Sequence, residues 1–293
     1  MIPVMYIFIY IFTSFIFSAK LIKNVKGGLM FPILHIGSLQ IPVYGSIIAL
    51  AYIAGVFLMA HRAVIYGFRK KDIYIVSISS MAGIIVGAKL FYFFTVLPDY
   101  IRNWDTVRSD LYNAIYYGFS GFVFYGGIAG ALFMIFLYCV RHEYSFLKFT
   151  NVIIPVVPFI HSLGRIGCFM GGCCYGVKYN GIFSVQFPQD SLIENLGAFP
   201  RFPVQLLEAA SLFALFIIMY SHSSYIYPNG YMLRIYLCSY SVIRFMTEFL
   251  RGDTYRGIFF GLSTGQWVSM FIFIATFSSF LIQISKRQPP LPD

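Results

Sequence analysis

The sequence predicts an all-α, polytopic integral membrane protein: seven core transmembrane helices plus an extra N-terminal apolar segment. Three observations carry this. Of 293 residues, 59% are hydrophobic and only 11% charged, where a soluble domain carries about 25% charge. Mean hydropathy is +0.75. Apolar stretches recur at 43–60, 75–97, 121–140, 152–170, 206–220, 231–250 and 266–284, most near the ~20 residues a helix needs to cross the hydrocarbon core. They are too long for barrel strands, and a helix satisfies its backbone groups within itself. The stretch at 206–220 needs its polar N-terminal flank to complete a span.

Residues 1–29 stand apart from a membrane-embedded domain over 30–293. Residues 2–18 are apolar and aromatic, then Lys20, Lys23 and Lys26 follow. A basic region before the apolar run is lacking, so this is a poor signal peptide. An extra helix and an extension ahead of a start at Met30 remain the two readings. In the core, cations gather after the first stretch (Arg62, Arg69, Lys70, Lys71), after the third (Arg141, Lys148) and at the C-terminus (Lys286, Arg287). All three sites are cytoplasmic if the usual bias of Lys and Arg holds. The loops at 98–120, 171–205 and 251–265 then lie outside, with Asp99, Asp105, Asp110, Asp190 and Glu194. A net charge of +10 fits basic loops on anionic headgroups. No basic stripe interleaved with aromatics forms a groove, so nucleic acid is not an expected partner.

Two constellations place charge inside apolar stretches. The first is Gly164-Arg165-Ile166-Gly167-Cys168-Phe169-Met170-Gly171-Gly172-Cys173-Cys174-Tyr175-Gly176. A guanidinium keeps its charge, costs about 2.5–3.5 kcal/mol at mid-bilayer on insertion scales, and so faces a polar cavity and a partner. Beside glycine-rich backbone it suits an anion. The second is Tyr240, Arg244, Glu248 and Arg251, whose spacing predicts one helix face. Its plain reading is an ion pair locking helices; its sharper one is the wall of a substrate cavity. Two arginines on separate helices favour the cavity, because two guanidiniums can grip a phosphate.

Polar residues at neighbouring positions complete the candidate site. Gln205 and Glu208 lie on adjacent turns of the fifth helix. Ser263 or Thr264 is an N-cap candidate for the seventh, with Trp267 as an interfacial aromatic. Tyr44-Gly45 opens the first core helix and Phe124-Tyr125-Gly126-Gly127 the third. Lys89 either snorkels to an interface or points inward as a third cation. Five cysteines, an odd number with two adjacent, are no disulfide framework. Cys139 and Cys238 read as packing. The spacing C-x4-C-C at Cys168, Cys173 and Cys174 lacks the paired pattern of a zinc site, even with His161 upstream, so neither metal nor cofactor is expected. The three read as small cavity-lining side chains, with a covalent relay as the alternative.

In combination these motifs resemble the prolipoprotein diacylglyceryl transferase family. The matching segments are Pro42-Val43-Tyr44-Gly45, Phe124-Tyr125-Gly126-Gly127, the Gly164–Gly176 run, 201–208, 240–253 and 262–267, in family order across roughly residues 30–285. The resemblance implies a bacterial plasma-membrane enzyme whose cavity opens toward the outer leaflet. It implies transfer of the diacylglyceryl group of phosphatidylglycerol to the lipobox cysteine of a prolipoprotein signal peptide, releasing glycerol phosphate, with no cofactor. By motif, Arg165 and Arg244 fall on essential family arginines, and Tyr44, Gly176, Tyr240 and Glu248 on functional positions. Cys168, Gln205, Glu208 and Arg251 are further candidates for substrate binding. The chain departs from the pattern where Tyr125 replaces a histidine, Cys168 an asparagine, Gly171 and Cys173 an asparagine and a glutamate, and Phe202 a histidine. A relative with another acceptor, a transporter of an anionic lipid and a non-catalytic lipid binder are the alternatives.

Overall fold

In a computed structural model of the chain, the described residues are 33–36, 39–188, 196–222, 230–253 and 257–285. The expected extension at 1–29 lies outside them, as do Asp190, Glu194, Lys286 and Arg287. A short antiparallel hairpin, β1 (Ile33–Ile36) and β2 (Leu39–Pro42), leads into α1 (Val43–Ile65). Then follow α2 (Lys70–Arg102), two short helices α3 (Trp104–Ser109) and α4 (Leu111–Ser120), and α5 (Phe124–Arg141). Next come α6 (Phe146–Ile153), a 3-10 turn at Ile154–Val156, and α7 (Val157–Met170). The chain closes with α8 (Val204–His222), α9 (Tyr231–Glu248), a two-residue hairpin of β3 (Ile258–Phe259) and β4 (Leu262–Ser263), and α10 (Thr264–Ser285).

Each of the seven apolar stretches falls on helix. Five spans are long and apolar enough to cross a membrane: Val43–Ile65, Lys70–Arg102, Phe146–Met170, Val204–His222 and Thr264–Ile282. The apolar part of α5, Gly126–Arg141, is shorter, and α9 carries Arg234, Arg244 and Glu248 within 18 residues. Large apolar side chains point outward along these helices, among them Leu50, Ile78 and Phe271. Such surface is stable against lipid and not against water. The hairpin before α1 adds to the apolar helices, and the expected loop at 98–120 carries the end of α2 and the short helices α3 and α4.

The chain divides into two compact units, one over 56–153 and 224–231 and the other over the remaining residues. In the first, α2 and α5 meet through matched glycines. Gly83 and Gly87 on α2 face Gly130 and Gly126 on α5; a Cβ at Gly83 would lie 2.5 Å from the Gly130 carbonyl oxygen. Small residues four apart on both helices let the backbones touch, the usual route to tight association where lipid offers no hydrophobic drive. Lys89 donates to the Phe119 carbonyl at 2.6 Å and sits 4.3 Å over the Phe122 ring. Of its two readings, the anchoring one describes these contacts. Asp72, fully buried, accepts from Arg69, Tyr138 and Tyr144 at 2.8–2.9 Å.

Arg62 corrects the charge map. Read as a loop cation, it lies in the last turn of α1 and is 2% exposed. Its Nε donates to the Val152 carbonyl at 2.9 Å and its Nη2 to the Asn151 carbonyl at 3.0 Å. Pro155 has no N–H to return to the Asn151 carbonyl, so the helix end needs an outside donor. Arg62 is therefore a structural group that braces the end of α6.

In the second unit α7 packs on α8, with Phe159 against Phe216 at 5.2 Å between ring centroids. Beyond α7 a small core of Phe169, Val185, Phe187 and Leu196 anchors the following loop. That loop is held by its backbone. Val177 N–H donates to the Leu250 carbonyl, Phe202 N–H to Val177, and Gly252 N–H to Tyr175. The start of α10 is a reciprocal cap: Gln266 N–H donates to Ser263 Oγ at 3.2 Å and Ser263 N–H to Gln266 Oε1 at 2.9 Å. This settles the N-cap on Ser263 and satisfies two otherwise orphaned donors. Trp267 Nε1 donates to the Phe259 carbonyl, which ties the α10 entry to the β3–β4 hairpin.

Candidate functional site

The second unit gathers the charged residues of both constellations at one place. Arg165 projects from α7, Glu208 from the first turns of α8, and Arg244 and Glu248 from consecutive turns of α9. Arg165 Nη2 lies 2.9 Å from Glu208 Oε1. Arg244 Nη2 lies 2.6 Å from Glu248 Oε2, and its Nη1 is 3.9 Å from Glu208 Oε2. The two arginines thus converge on one carboxylate. Glu208 and Glu248 are almost fully buried, while the arginines keep 14% and 16% of their side-chain surface. Two guanidiniums against two carboxylates make a neutral cluster, which charge inside a low-dielectric bundle demands.

Its donors are not all used. Arg165 Nε and Arg244 Nη1 are buried and have no hydrogen-bond partner among the described residues. A buried donor left unmade costs about 1–3 kcal/mol, more on a charged group. Neighbours hold the cluster in shape. Ser263 Oγ donates to Glu248 Oε1 at 2.9 Å, linking the α10 cap to the site. A Cβ at Gly265 would stand 3.2 Å from Glu248 Oε2 and 3.3 Å from Arg244 Nη2, so glycine leaves the pair room. Tyr240 reaches Glu208 Oε1 at 3.5 Å. Its ring stacks on Tyr236 and lies beside His161, whose Nδ1 is 3.3 Å from the Tyr236 hydroxyl.

The remaining candidates divide. Tyr44, in the first turn of α1, lays its ring edge against Gly167, two residues beyond Arg165; a Cβ at Gly167 would be 3.1 Å from it. Gln205 Nε2 donates to the Cys173 carbonyl at 2.8 Å, leaving Gln205 Oε1 buried and unpartnered among the described residues. Gly176 bridges Arg251 through the backbone, in a place where Phe202 and Leu250 carbonyls leave no room for a Cβ. Arg251 departs from the expected helix face. The helix ends at Glu248, and Arg251 turns to Asp253, with contacts of 2.6 and 3.0 Å. Tyr125 starts α5 in the other unit, and its side chain lies outside the described residues.

Cys168, Cys173 and Cys174 converge, with all three Sγ atoms within 4.8 Å of one another. The Cys174 thiol is held well below its ordinary range by hydrogen bonds with Cys168 and Cys173 and, against its burial, by the Arg251 and Arg165 charges. Two roles are not apparent from the sequence. Ser263, one of two N-cap candidates, also serves Glu248. Tyr236 continues the line of Tyr240, Arg244 and Glu248 one turn upstream, a spacing visible in the sequence.

The fold and the site define a polytopic helical membrane protein with a neutral arginine–carboxylate cluster in its interior whose guanidiniums keep unused donors. The family model for prolipoprotein diacylglyceryl transferase matches residues 32–282, and the chain belongs to that family. It is 32% identical over 252 residues to the phosphatidylglycerol–prolipoprotein diacylglyceryl transferase of Clostridium tetani, an overlap of 85% of this chain and 96% of the relative. A second such protein from Clostridium perfringens is 32% identical over 241 residues, 82% and 90% of the two chains. One from Bordetella avium is 28% identical over 265 residues, 87% and 96%.

Proposed function

We propose that this protein transfers the diacylglyceryl group of phosphatidylglycerol to the lipobox cysteine thiol of a prolipoprotein, releasing glycerol phosphate. Donor and acceptor follow from what its relatives are named for. The supporting observation in this chain is the cluster: two buried guanidiniums share Glu208, and each retains an unpartnered nitrogen, Arg165 Nε and Arg244 Nη1. The phosphate oxygens of the lipid are acceptors of the right charge and geometry for those donors.

In the reaction the thiol loses its proton, sulfur bonds to the terminal glycerol carbon, and the carbon–oxygen bond to phosphate breaks. Charge collects on the departing phosphate. Donors already fixed toward it lower the barrier, and losing one such donor typically costs about 10²–10³ in rate. Glu208 and Glu248 hold the guanidiniums in place before lipid arrives. Tyr44 and Tyr240 flank Arg165 and would position the headgroup. Tyr125 is a catalytic candidate by its place in the Phe124-Tyr125-Gly126-Gly127 motif alone, where the family has a histidine; loss of transfer in Tyr125→Phe, with phosphatidylglycerol binding kept, is the expected result. A cavity facing the outer leaflet of the bacterial plasma membrane is what the family resemblance implies, and the basic residues after α1 (Arg69, Lys70, Lys71), after α5 (Arg141, Lys148) and at the C-terminus (Lys286, Arg287) support it by favouring the cytoplasmic side for those ends.

The test is direct. Purified protein with labelled phosphatidylglycerol and a lipobox peptide should yield labelled peptide, none with the Cys→Ser peptide, and none after Arg165→Ala or Arg244→Ala. Lipid binding without labelled peptide, or flux across sealed vesicles without chemical change, would replace the transferase by a binder or a transporter.

A further inference from the structure

The cysteine triangle follows Arg165 at and just past the end of α7, and the transfer steps described above make no use of its thiols. Its spacing, C-x4-C-C, resembles no paired metal motif, yet the fold brings the residues together. Cys168 stands in the last turn of α7. The chain then reverses through Gly171 and Gly172, the latter at φ +72°, and Cys174 takes a left-handed φ of 54°. A non-glycine residue there is uncommon and is held by its surroundings. The reversal is fixed from several sides. Cys173 N–H donates to the Cys168 carbonyl at 3.1 Å, Gln205 Nε2 donates to the Cys173 carbonyl at 2.8 Å, and Gly252 N–H donates to the Tyr175 carbonyl at 2.9 Å. Three thiols are thereby brought within 4.8 Å of one another, Cys168 buried and the other two half-buried.

From this geometry we propose that Cys168, Cys173 and Cys174 form a trigonal thiolate site for a thiophilic d10 cation, Zn²⁺ or Cu⁺. Thiolate ligands select such ions. With metal–sulfur bonds of about 2.3 Å, the sulfurs would sit about 4 Å apart, a contraction of less than about 1 Å from the present triangle. The site lies at the C-terminus of α7, where the negative end of the helix dipole favours positive charge. Each thiol gives its proton to solvent as its sulfur bonds the ion, and no electron changes hands. His161, two turns upstream, faces Tyr236 and Tyr240 and is no ligand. A bound ion would tie the helix that carries Arg165 to the loop that ends at Gly176. The proposal does not rest on the transferase reading.

The experiment uses the full chain in detergent, reduced, stripped with chelator and shown by thiol counting to hold all its cysteines free. It is titrated separately with Zn²⁺, with Cu⁺ and with Cd²⁺ as the spectroscopic probe. Expected are one ion per chain by elemental analysis and an ultraviolet sulfur-to-cadmium band. Cys168→Ser, Cys173→Ser and Cys174→Ser should each weaken binding at least about 10-fold, the loss that even an outer-shell change brings. Cys139→Ser and Cys238→Ser should leave it unchanged. Circular dichroism on each variant separates loss of the site from loss of the fold. The Zn²⁺ and Cu⁺ arms decide which ion is preferred. No stoichiometric binding by the folded, reduced protein, or binding that survives all three substitutions, overturns the proposal.

Discussion

Two buried arginines in this molecule do opposite things. Arg62 gives Nε and Nη2 to the Val152 and Asn151 carbonyls at the end of α6, the second of which Pro155 leaves without its ordinary helical partner. Arg165 faces a carboxylate shared with a second guanidinium and keeps its Nε without a partner among the described residues. Both are cations in apolar surroundings, and residue type alone does not separate them. What separates them is whether the protein itself completes their hydrogen bonding. An arginine completed by backbone is a brace. One left incomplete beside another arginine keeps donors that an outside acceptor can take.

The contrast can be broken or sharpened by substitution. The largest effect is expected at the Arg165–Arg244 cluster. Arg165→Ala and Arg244→Ala should each lower lipid transfer by at least about 10²–10³-fold, read as labelled lipobox peptide per folded molecule; near-normal rates would erase the distinction. Glu208→Gln comes next. It keeps an oxygen for Arg165 but removes the charge between two guanidiniums, and should cost about 3 kcal/mol, the low end for breaking a buried pair. Chemical denaturation checks this, and stability equal to the parent would mean the cluster is not neutralised as described.

Arg62→Met should behave in the opposite sense from Arg165→Ala. Stranding the Asn151 and Val152 carbonyls should lower stability by about 1–3 kcal/mol, while transfer per folded molecule stays unchanged. A selective loss of activity with normal thermal unfolding would put Arg62 on the functional side. The smallest effect is expected at Ser263→Ala. Losing the α10 cap should cost about 1 kcal/mol, and Glu248 loses a hydrogen bond in the same change, so a modest fall in transfer should accompany the lower melting temperature.

Much of this was legible in the chain. Long apolar runs announce helices because a membrane offers backbone groups no other partner, and all seven runs lie on helix. The Tyr240–Arg244–Glu248 line read correctly because four-residue spacing survives folding intact. Arg251, three residues on, did not, because its side chain follows the turn that ends α9 rather than the helical period. The role of Glu208 was half visible. Its position was marked, but that it sits between Arg165 and Arg244 depends on how three helices from distant parts of the chain pack. The glycine contact of α2 and α5 was written plainly in Gly83, Gly87, Gly126 and Gly130, and a reading by hydropathy passed over it. The cysteine triangle was hidden for a different reason: spacing rules for metal sites assume particular loops, and here a helix end and a left-handed residue do the gathering.

The zero net charge of the Arg165–Glu208–Arg244–Glu248 cluster bears on how a lipid is chosen. Opposite charges this close cancel within a few ångströms, so the cluster projects little field into the bilayer and draws headgroups from afar only weakly. Selection must happen on contact, through the directions of the two unpartnered nitrogens and whatever the rest of the headgroup meets beside Tyr44 and Tyr240. Turnover should therefore depend shallowly on ionic strength, and a lipid with the same phosphate but a different terminal alcohol should compete by shape rather than by charge.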